Sequence, residues 1–273
     1  MQPFTAITTG LRRYGAIYLA LLKNSIVREM GFKSNFLLWI VVEALWFALQ
    51  LGYFVVIYSH TESIAGWSKW EVVLLIGTAQ FIQQLFTAIF LTNVTDLSEL
   101  IRTGKLDFML LLPVNTRFLI SFRKVDLGGF VNAGMALCVV GYACNQLGIT
   151  PTFQHITGYF VLCIAGVFIH YALVLVLAVS AFWTVRSQGV VWCYYNLFNI
   201  ARMPQTAFRG TFKIIFTLAV PMLLIANVPA KLILTRLDSI LEMGLLLVIT
   251  MIWLILSEFC WRVSLRRYTS ASS

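Results

Sequence analysis

Long, mostly uncharged apolar runs constrain this chain more than any other feature. Five of them reach membrane-spanning length, at approximately Phe36–Tyr58, Val72–Leu91, Leu127–Leu147, Ile156–Thr184 and Leu241–Val263. A helix of about 20 apolar residues crosses a hydrocarbon core about 30 Å thick. Because the backbone polar groups of a lipid-exposed segment must be satisfied within that segment, each run is predicted to be a transmembrane helix.

The composition excludes most soluble classes. Of the 273 residues, 60% are hydrophobic and 11% are charged, whereas a soluble domain has about 45–50% apolar and about 25% charged residues. The net charge of +9 is spread between the apolar runs. This distribution is typical of the basic flanks of membrane helices rather than of a nucleic-acid-binding surface.

Residues that could support catalysis are scattered. The three histidines are far apart, the five cysteines lack C-x2-C spacing, and no P-loop pattern occurs. We therefore expect no catalytic site, no metal site and no cofactor in this chain. A membrane-embedded enzyme acting on lipid would need a clustered acid, base or metal set, which the sequence does not offer.

The segment from Arg186 to Arg236 is harder to assign. It holds two apolar stretches, Val190–Ile200 and Ile214–Leu234, which charges and prolines interrupt. Non-helical backbone at membrane depth survives only where protein or water shelters it. One spanning helix plus a re-entrant or interfacial hairpin is predicted, giving six spans, and the residues leave open which stretch crosses.

Lysine and arginine residues alternate between loops. They cluster before the first span, between the second and third spans, and after the last span. The segment 59–70, by contrast, carries one lysine, and the segment 148–154 carries no lysine or arginine. By the positive-inside rule both termini are predicted to be cytoplasmic. The segment 1–34 has apolar residues near helical spacing among basic ones and is predicted to be an interfacial helix, with a solvated basic tail as the alternative.

Polar residues interrupt the first two spans. Glu43 lies within the first, where a lone carboxylate costs about 2.5–3.5 kcal/mol. It is interpreted either as facing a pathway or a partner subunit, or as a protonated or hydrogen-bonded structural residue near Gln50. Gln80, Gln83 and Gln84 share helical spacing in the second span, which indicates a polar pathway or interhelical hydrogen bonds.

The loop 93–117 is rich in helix-terminating signals. Thr95 or Asp96 is placed to cap a short helix, and Gly104 is placed to end it. A second turn, Leu106–Leu112, would close at Pro113. A compact charged helix of this kind suits contact with a soluble partner, although an ordinary interfacial loop explains the charges equally well.

The order of residues in this loop resembles a known family. The stretch Ile101–Val114, IRTGKLDFMLLLPV, resembles the I-R-x-G-x-L-D-x-x-L-x-x-P-V signature of ABC-2 type permeases, especially those made as bare six-span subunits beside a separate ATPase. A weaker resemblance covers Phe198–Pro204, Thr217–Pro221 and Asn227–Ala230, with Met203 where tyrosine is common.

The resemblance implies the membrane subunit of an ATP-driven exporter in a bacterial inner membrane, one domain over 1–273. It would pair with a second permease, identical or related, and with two ATPase subunits that bind ATP and Mg. The segment 1–34 would be an interfacial helix, Gly189–Met203 a span, and 204–240 a hairpin re-entering from outside. Residues expected to couple to the ATPase are Asp96, Glu99, Arg102, Gly104, Lys105, Asp107 and Pro113. The alternative function is a stand-alone secondary carrier or channel, coupled to ions or protons through Glu43.

Overall fold

A computed structural model of the chain describes residues 2–183, 188–237 and 240–268. Within these ranges the backbone is helical, without a named strand. The helices are α1 Gln2–Gly31, α2 Lys33–Tyr58, α3 Lys69–Phe86, α4 Thr92–Thr95, α5 Leu97–Arg102, α6 Lys105–Leu110, α7 Thr116–Phe122, α8 Leu127–Gln146, α9 Phe153–Ala178, α10 Gln188–Phe198, α11 Gly210–Ile214, α12 Met222–Ile233 and α13 Ile240–Arg266.

Five helical segments are long and apolar enough to cross a membrane. They are Lys33–Tyr58, Lys69–Arg102, Leu127–Gln146, Phe153–Phe182 and Ile240–Arg266. Each segment begins within three residues of the start of one of the predicted apolar runs. The second continues past the predicted end at Leu91, because α4 and α5 follow α3 with little interruption. Thr184, the predicted end of the fourth run, lies outside the described residues.

The segment that was hard to assign is broken into short pieces. α10 has 11 residues, and a tighter helical turn of four residues, Asn199–Arg202, extends it. At about 1.5 Å per residue in α10 and about 2.0 Å per residue in the tighter turn, the two together are about 24 Å long. Further along, the helical stretch Gly210–Ala219 meets α12 at an angle of 84°. The break falls at Pro221, which has no N–H to donate to the preceding turn. The stretch Gly210–Ala219 and α12 are long and apolar enough to cross a membrane only when they are counted as one segment. Counting them so raises the number of candidate spans among the described residues from five to six.

The central helices approach closely at glycines. A Cβ added to Gly166 of α9 would lie 3.2 Å from Ile225 Cγ2 of α12, and one added to Gly77 of α3 would lie 2.9 Å from Val140 Cγ2 of α8. Small residues permit this approach in membrane proteins, where no hydrophobic effect drives helices together. α12 is buried along its whole length, whereas α2 and α13 expose most of their apolar side chains.

A π-helical turn, Thr87–Leu91, interrupts the second long segment after α3. The carbonyl of Ala88 in this turn accepts a hydrogen bond from Asp126 N at 2.8 Å. A Cβ added to Gly129 near the start of α8 would lie 2.9 Å from Ala88 Cβ. The turn and the glycine therefore let α8 begin directly against α3.

The N-terminal helix packs along α7. Tyr14 contacts Phe118 edge to face with ring centroids 5.0 Å apart, and Ser25 Oγ accepts from Val125 N at 3.1 Å. Most of its remaining described side chains are exposed. The predicted helical character of this segment is confirmed, and its packing joins it to the same end of the bundle as the loop 93–117.

Candidate functional site

A cavity of about 1010 Å³ opens between α2, α3 and the end of α10. Aromatic, aliphatic and polar side chains line it. The polar ones are Glu43, Gln50, Gln80, Gln83, Asn199 and Arg202. The structure thus brings three of the four predicted pathway residues to one surface, and the fourth, Gln84, lies behind it against Glu43.

The carboxylate of Glu43 is held from α3. Gln84 Nε2 donates to Glu43 Oε2 at 3.0 Å. In the sequence, Gln50 lies about two helical turns after Glu43, on the same face of α2. The hydrogen-bond partner of Glu43, however, comes from the neighbouring helix α3. Glu43 therefore ties α2 to α3 while one edge of its carboxylate stays towards the cavity.

Arg202 is the second charged group of the cavity, and it is enclosed by amides. Its Nη2 donates to Gln80 Oε1 at 3.1 Å and to Gln83 Oε1 at 2.6 Å, while Nη1 donates to Asn199 Oδ1 at 3.0 Å. In the amide orientation that satisfies both of its polar atoms, Gln50 accepts from Nε and Nη1, each at 3.1 Å. The guanidinium also lies over the ring of Phe198, 5.4 Å from its centroid.

Sequence reasoning did not place Arg202 in the site. The available signal was the presence of one arginine and one carboxylate inside otherwise apolar segments, since charged groups at that depth usually have polar partners. The contact with Gln80 spans 122 residues, so helical spacing within one segment does not reveal it.

The loop 93–117 forms two short helices around a left-handed glycine. Gly104 has a φ of +68° between α5 and α6, a conformation that glycine adopts without strain. Glu99 accepts from Arg102 Nε at 2.9 Å and from Nη2 at 2.7 Å. Lys105 begins α6 and is exposed, and Asp107, two residues later, is partly buried.

Asp96 occupies the cap position of α5 without bonding the helix N-terminus. Its carboxylate instead accepts from Arg123 Nη2 at 2.8 Å and pairs with Lys124. The predicted side-chain cap at this residue is therefore wrong, because two cations from the far side of the loop compete for the same oxygen. At the other end, Pro113 O accepts from Arg13 Nη2 at 2.6 Å.

The loop 93–117 has a buried face and an exposed apolar tip. Leu97, Leu100, Leu106 and Met109 are buried against the bundle. Phe108 is 73% exposed and Leu111 is 81% exposed, with Leu110 and Leu112 beside them. An exposed apolar tip of this kind is typical of a surface that contacts another protein or a membrane.

At the end of the loop 93–117, Arg117 of α7 connects three elements. It pairs with Glu258 of α13 and donates to Tyr171 Oη of α9 at 3.0 Å and to Ser257 Oγ at 2.9 Å. Burial alone would lower the pKa of Arg117, but Tyr171 and Glu258 raise it above its ordinary value. The ion pair was not anticipated, since 141 residues separate its members.

At the opposite end of the bundle, the two ends of the broken segment meet one loop. Thr206 Oγ1 donates to Ala65 O at 2.8 Å, and Arg236 Nη1 donates to Gly66 O at 3.1 Å. Arg236 also pairs with Glu71 at 2.9 Å. The chain between residues 206 and 236 therefore leaves and returns on the same side.

Two internal polar contacts fix the path of that segment. Asn227 of α12 accepts from Gln205 N at 2.8 Å and donates to Met203 O at 3.1 Å. Lys231 donates to both carboxylate oxygens of Glu242 on α13 at 3.0 Å. Lys231 is buried and Glu242 is partly buried, so this pair anchors α12 to the last long helix from a mostly buried position.

These features define a multi-pass membrane protein with a polar cavity among its helices. A family model described as ABC-2 family transporter protein matches residues 44–272. The chain belongs to the ABC-2 transporter family, and the resemblance seen in the sequence is confirmed. Membrane subunits of this family typically lack an ATP-binding motif and in general work with an ATPase subunit. No curated protein and no solved structure matches the chain.

Proposed function

We propose that the chain is the permease subunit of an ATP-driven exporter. It forms part of a translocation pathway together with a second permease subunit, identical or related, and it is driven by two ATPase subunits that bind ATP and Mg. The observation that carries this proposal is the polar cavity between α2, α3 and the end of α10, which opens at the surface of the single chain.

The energetics of that opening favour a partner or a water-filled path. Glu43 and Arg202 both lie within apolar segments and both line the cavity. A charged side chain at membrane depth costs about 2.5–3.5 kcal/mol when it is inserted in a helix facing lipid. A second subunit across the opening, or water within a pathway, removes that cost.

The loop 93–117, which we call the coupling loop, supports the link to an ATPase. Its apolar tip at Phe108 and Leu111 is exposed, while Asp96 and Pro113 fasten its two ends to the bundle. A partner that grips the tip would move the attached helices rather than bend the loop. We assign the coupling role to Asp96, Glu99, Arg102, Gly104, Lys105, Asp107 and Pro113, with Phe108 and Leu111 added from their exposure.

The membrane placement follows from charge and contacts. We assign both termini, the helix within 1–34 and the coupling loop to the cytoplasmic side of a bacterial inner membrane. α10 with its following turn is then the sixth crossing, and the hairpin 204–240 enters and leaves from outside. The shared contacts of Thr206 and Arg236 with the Ala65–Gly66 loop support this assignment.

The test is affinity purification of the tagged full-length chain in mild detergent from its own host, with co-purifying proteins identified by mass spectrometry. We expect a stoichiometric P-loop ATPase and either a second copy or a related permease. A chain that purifies alone and transports in liposomes without an ATPase would instead establish a stand-alone carrier, with Glu43 as the coupling group.

A further inference from the structure

We propose that the cavity takes lipophilic organic cations, with Glu43 as the charge that receives them. The inference rests on the proposed export function and names the chemical class of its substrate. It follows from which polar groups of the cavity already have partners and which have capacity left.

Arg202 has no donor to spare for an anion. A guanidinium carries five N–H groups, and five contacts to neutral amide oxygens account for them. Gln50 receives two, and Asn199, Gln80 and Gln83 receive one each. An anionic ligand would have to displace oxygens that already saturate the guanidinium, so the positive group of the cavity is poorly suited to bind one.

Glu43 has the opposite balance. An ionised carboxylate offers about four acceptor positions on two oxygens, and Gln84 occupies one of them. Within the described part of the chain, Oε1 accepts no hydrogen bond. This carboxylate oxygen is therefore open to a cation, which it attracts by charge whether or not the cation carries an N–H donor.

The walls around Glu43 suit a cation with an apolar body. Glu43, Trp46, Phe47 and Gln50 recur at helical spacing on one face of α2, and Tyr53 follows. The side chains of Trp46 and Tyr53 are 68% and 64% exposed, so their rings are accessible from the cavity mouth. Aromatic faces attract cations through their quadrupole and bury apolar groups at the same time.

The experiment compares two ions of the same shape and opposite charge. Radiolabelled tetraphenylphosphonium and tetraphenylborate are equilibrated with the purified full-length chain and its co-purifying subunits in lipid nanodiscs, and binding to protein-free nanodiscs is subtracted. We expect saturable binding of the phosphonium and none of the borate. Glu43→Gln should weaken phosphonium binding at least tenfold, about 1.4 kcal/mol, and Trp46→Ala should weaken it as well.

The matched control is Glu62→Gln, which removes an exposed carboxylate outside the cavity and should leave binding unchanged. Preference for the borate, binding of neither ion, or full binding by Glu43→Gln would each overturn the proposal. The comparison of the two ions on the wild-type chain does not depend on a variant folding. If the ATPase co-purifies and the phosphonium does not bind, only the substrate class is rejected, whereas a chain without ATPase rejects the exporter function itself.

Discussion

Arg117 on α7 and Glu258 on α13 form an ion pair that joins the exit of the coupling loop to the last long helix. Tyr171 of α9 accepts from the same guanidinium. One side chain therefore connects the end of the loop 93–117 to two long helices. Glu258 also accepts from Arg262, one turn along α13, through a more exposed contact.

Replacing Arg117 with glutamine should weaken both stability and coupling. The change removes one charged group from a partly buried network, and hydrogen bonds to charged groups are worth about 1.5–3 kcal/mol each. We expect a lower thermal unfolding midpoint and reduced ATPase stimulation in the reconstituted complex. Arg262→Gln is the control, because it breaks an exposed pair with the same carboxylate and should cost less than about 1 kcal/mol. Equal losses in both variants would contradict the special role of Arg117.

The pair of Lys231 and Glu242 should behave as a buried ion pair. Glu242→Gln alone takes the Glu242 carboxylate away from a buried lysine, for which we expect a loss of about 1.5–3 kcal/mol in unfolding free energy, the range for a hydrogen bond to a charged group. The double variant Lys231→Met with Glu242→Gln removes both charges and should recover much of that loss. Thermal unfolding in detergent measures the three proteins side by side. A double variant no more stable than Glu242→Gln would show that the buried charge of Lys231 is not the cause of the lost stability.

Cysteine accessibility should place residues 206 and 235 on one side of the membrane. In a background with the five native cysteines replaced, Thr206→Cys and Thr235→Cys are labelled with an impermeant maleimide, since both side chains are exposed. We expect both to react from the same side as Ser63→Cys in the 59–68 loop. Thr103→Cys in the coupling loop should react only from the opposite side. Labelling of residues 206 and 235 from opposite sides would mean that the segment crosses.

The apolar tip of the coupling loop should be required for ATPase binding. Phe108→Ala removes an exposed aromatic ring and should reduce co-purification of the ATPase severalfold without lowering the unfolding midpoint. Phe153→Ala is the matched control, because Phe153 is 80% exposed at the opposite end of the bundle. Undiminished co-purification with Phe108→Ala would move the ATPase contact away from this tip.

The starts of the five long helical segments could be predicted from sequence to within three residues. A run such as Phe36–Tyr58 is too apolar for water and too long for any other element, so its identity does not depend on what surrounds it. The segment around Arg202 could not be resolved in the same way. Its path depends on Asn227, which bonds Met203 and Gln205 from more than twenty residues away.

The candidate site was predicted in part. Helical spacing identified Gln80, Gln83 and Gln84 as one polar stripe, which the structure turns towards the cavity and Glu43. The hydrogen-bond partners of these amides lie on other helices. Periodicity within one helix therefore predicts that the three glutamines share a face but does not predict their partners. The helix cap predicted at Asp96 was wrong for the same reason, because the competing cations Arg123 and Lys124 come from the far end of the loop.

The π-helical turn at Thr87–Leu91 sets the rotational register between the two halves of one continuous helical segment. Gln80 and Gln83 precede it and the coupling loop follows it. Deleting one residue within the turn would restore an ordinary helix and rotate everything beyond it by about 100°, with an axial shift of about 1.5 Å. One residue of chain length thus sets the direction in which a push on the loop tip reaches the cavity wall.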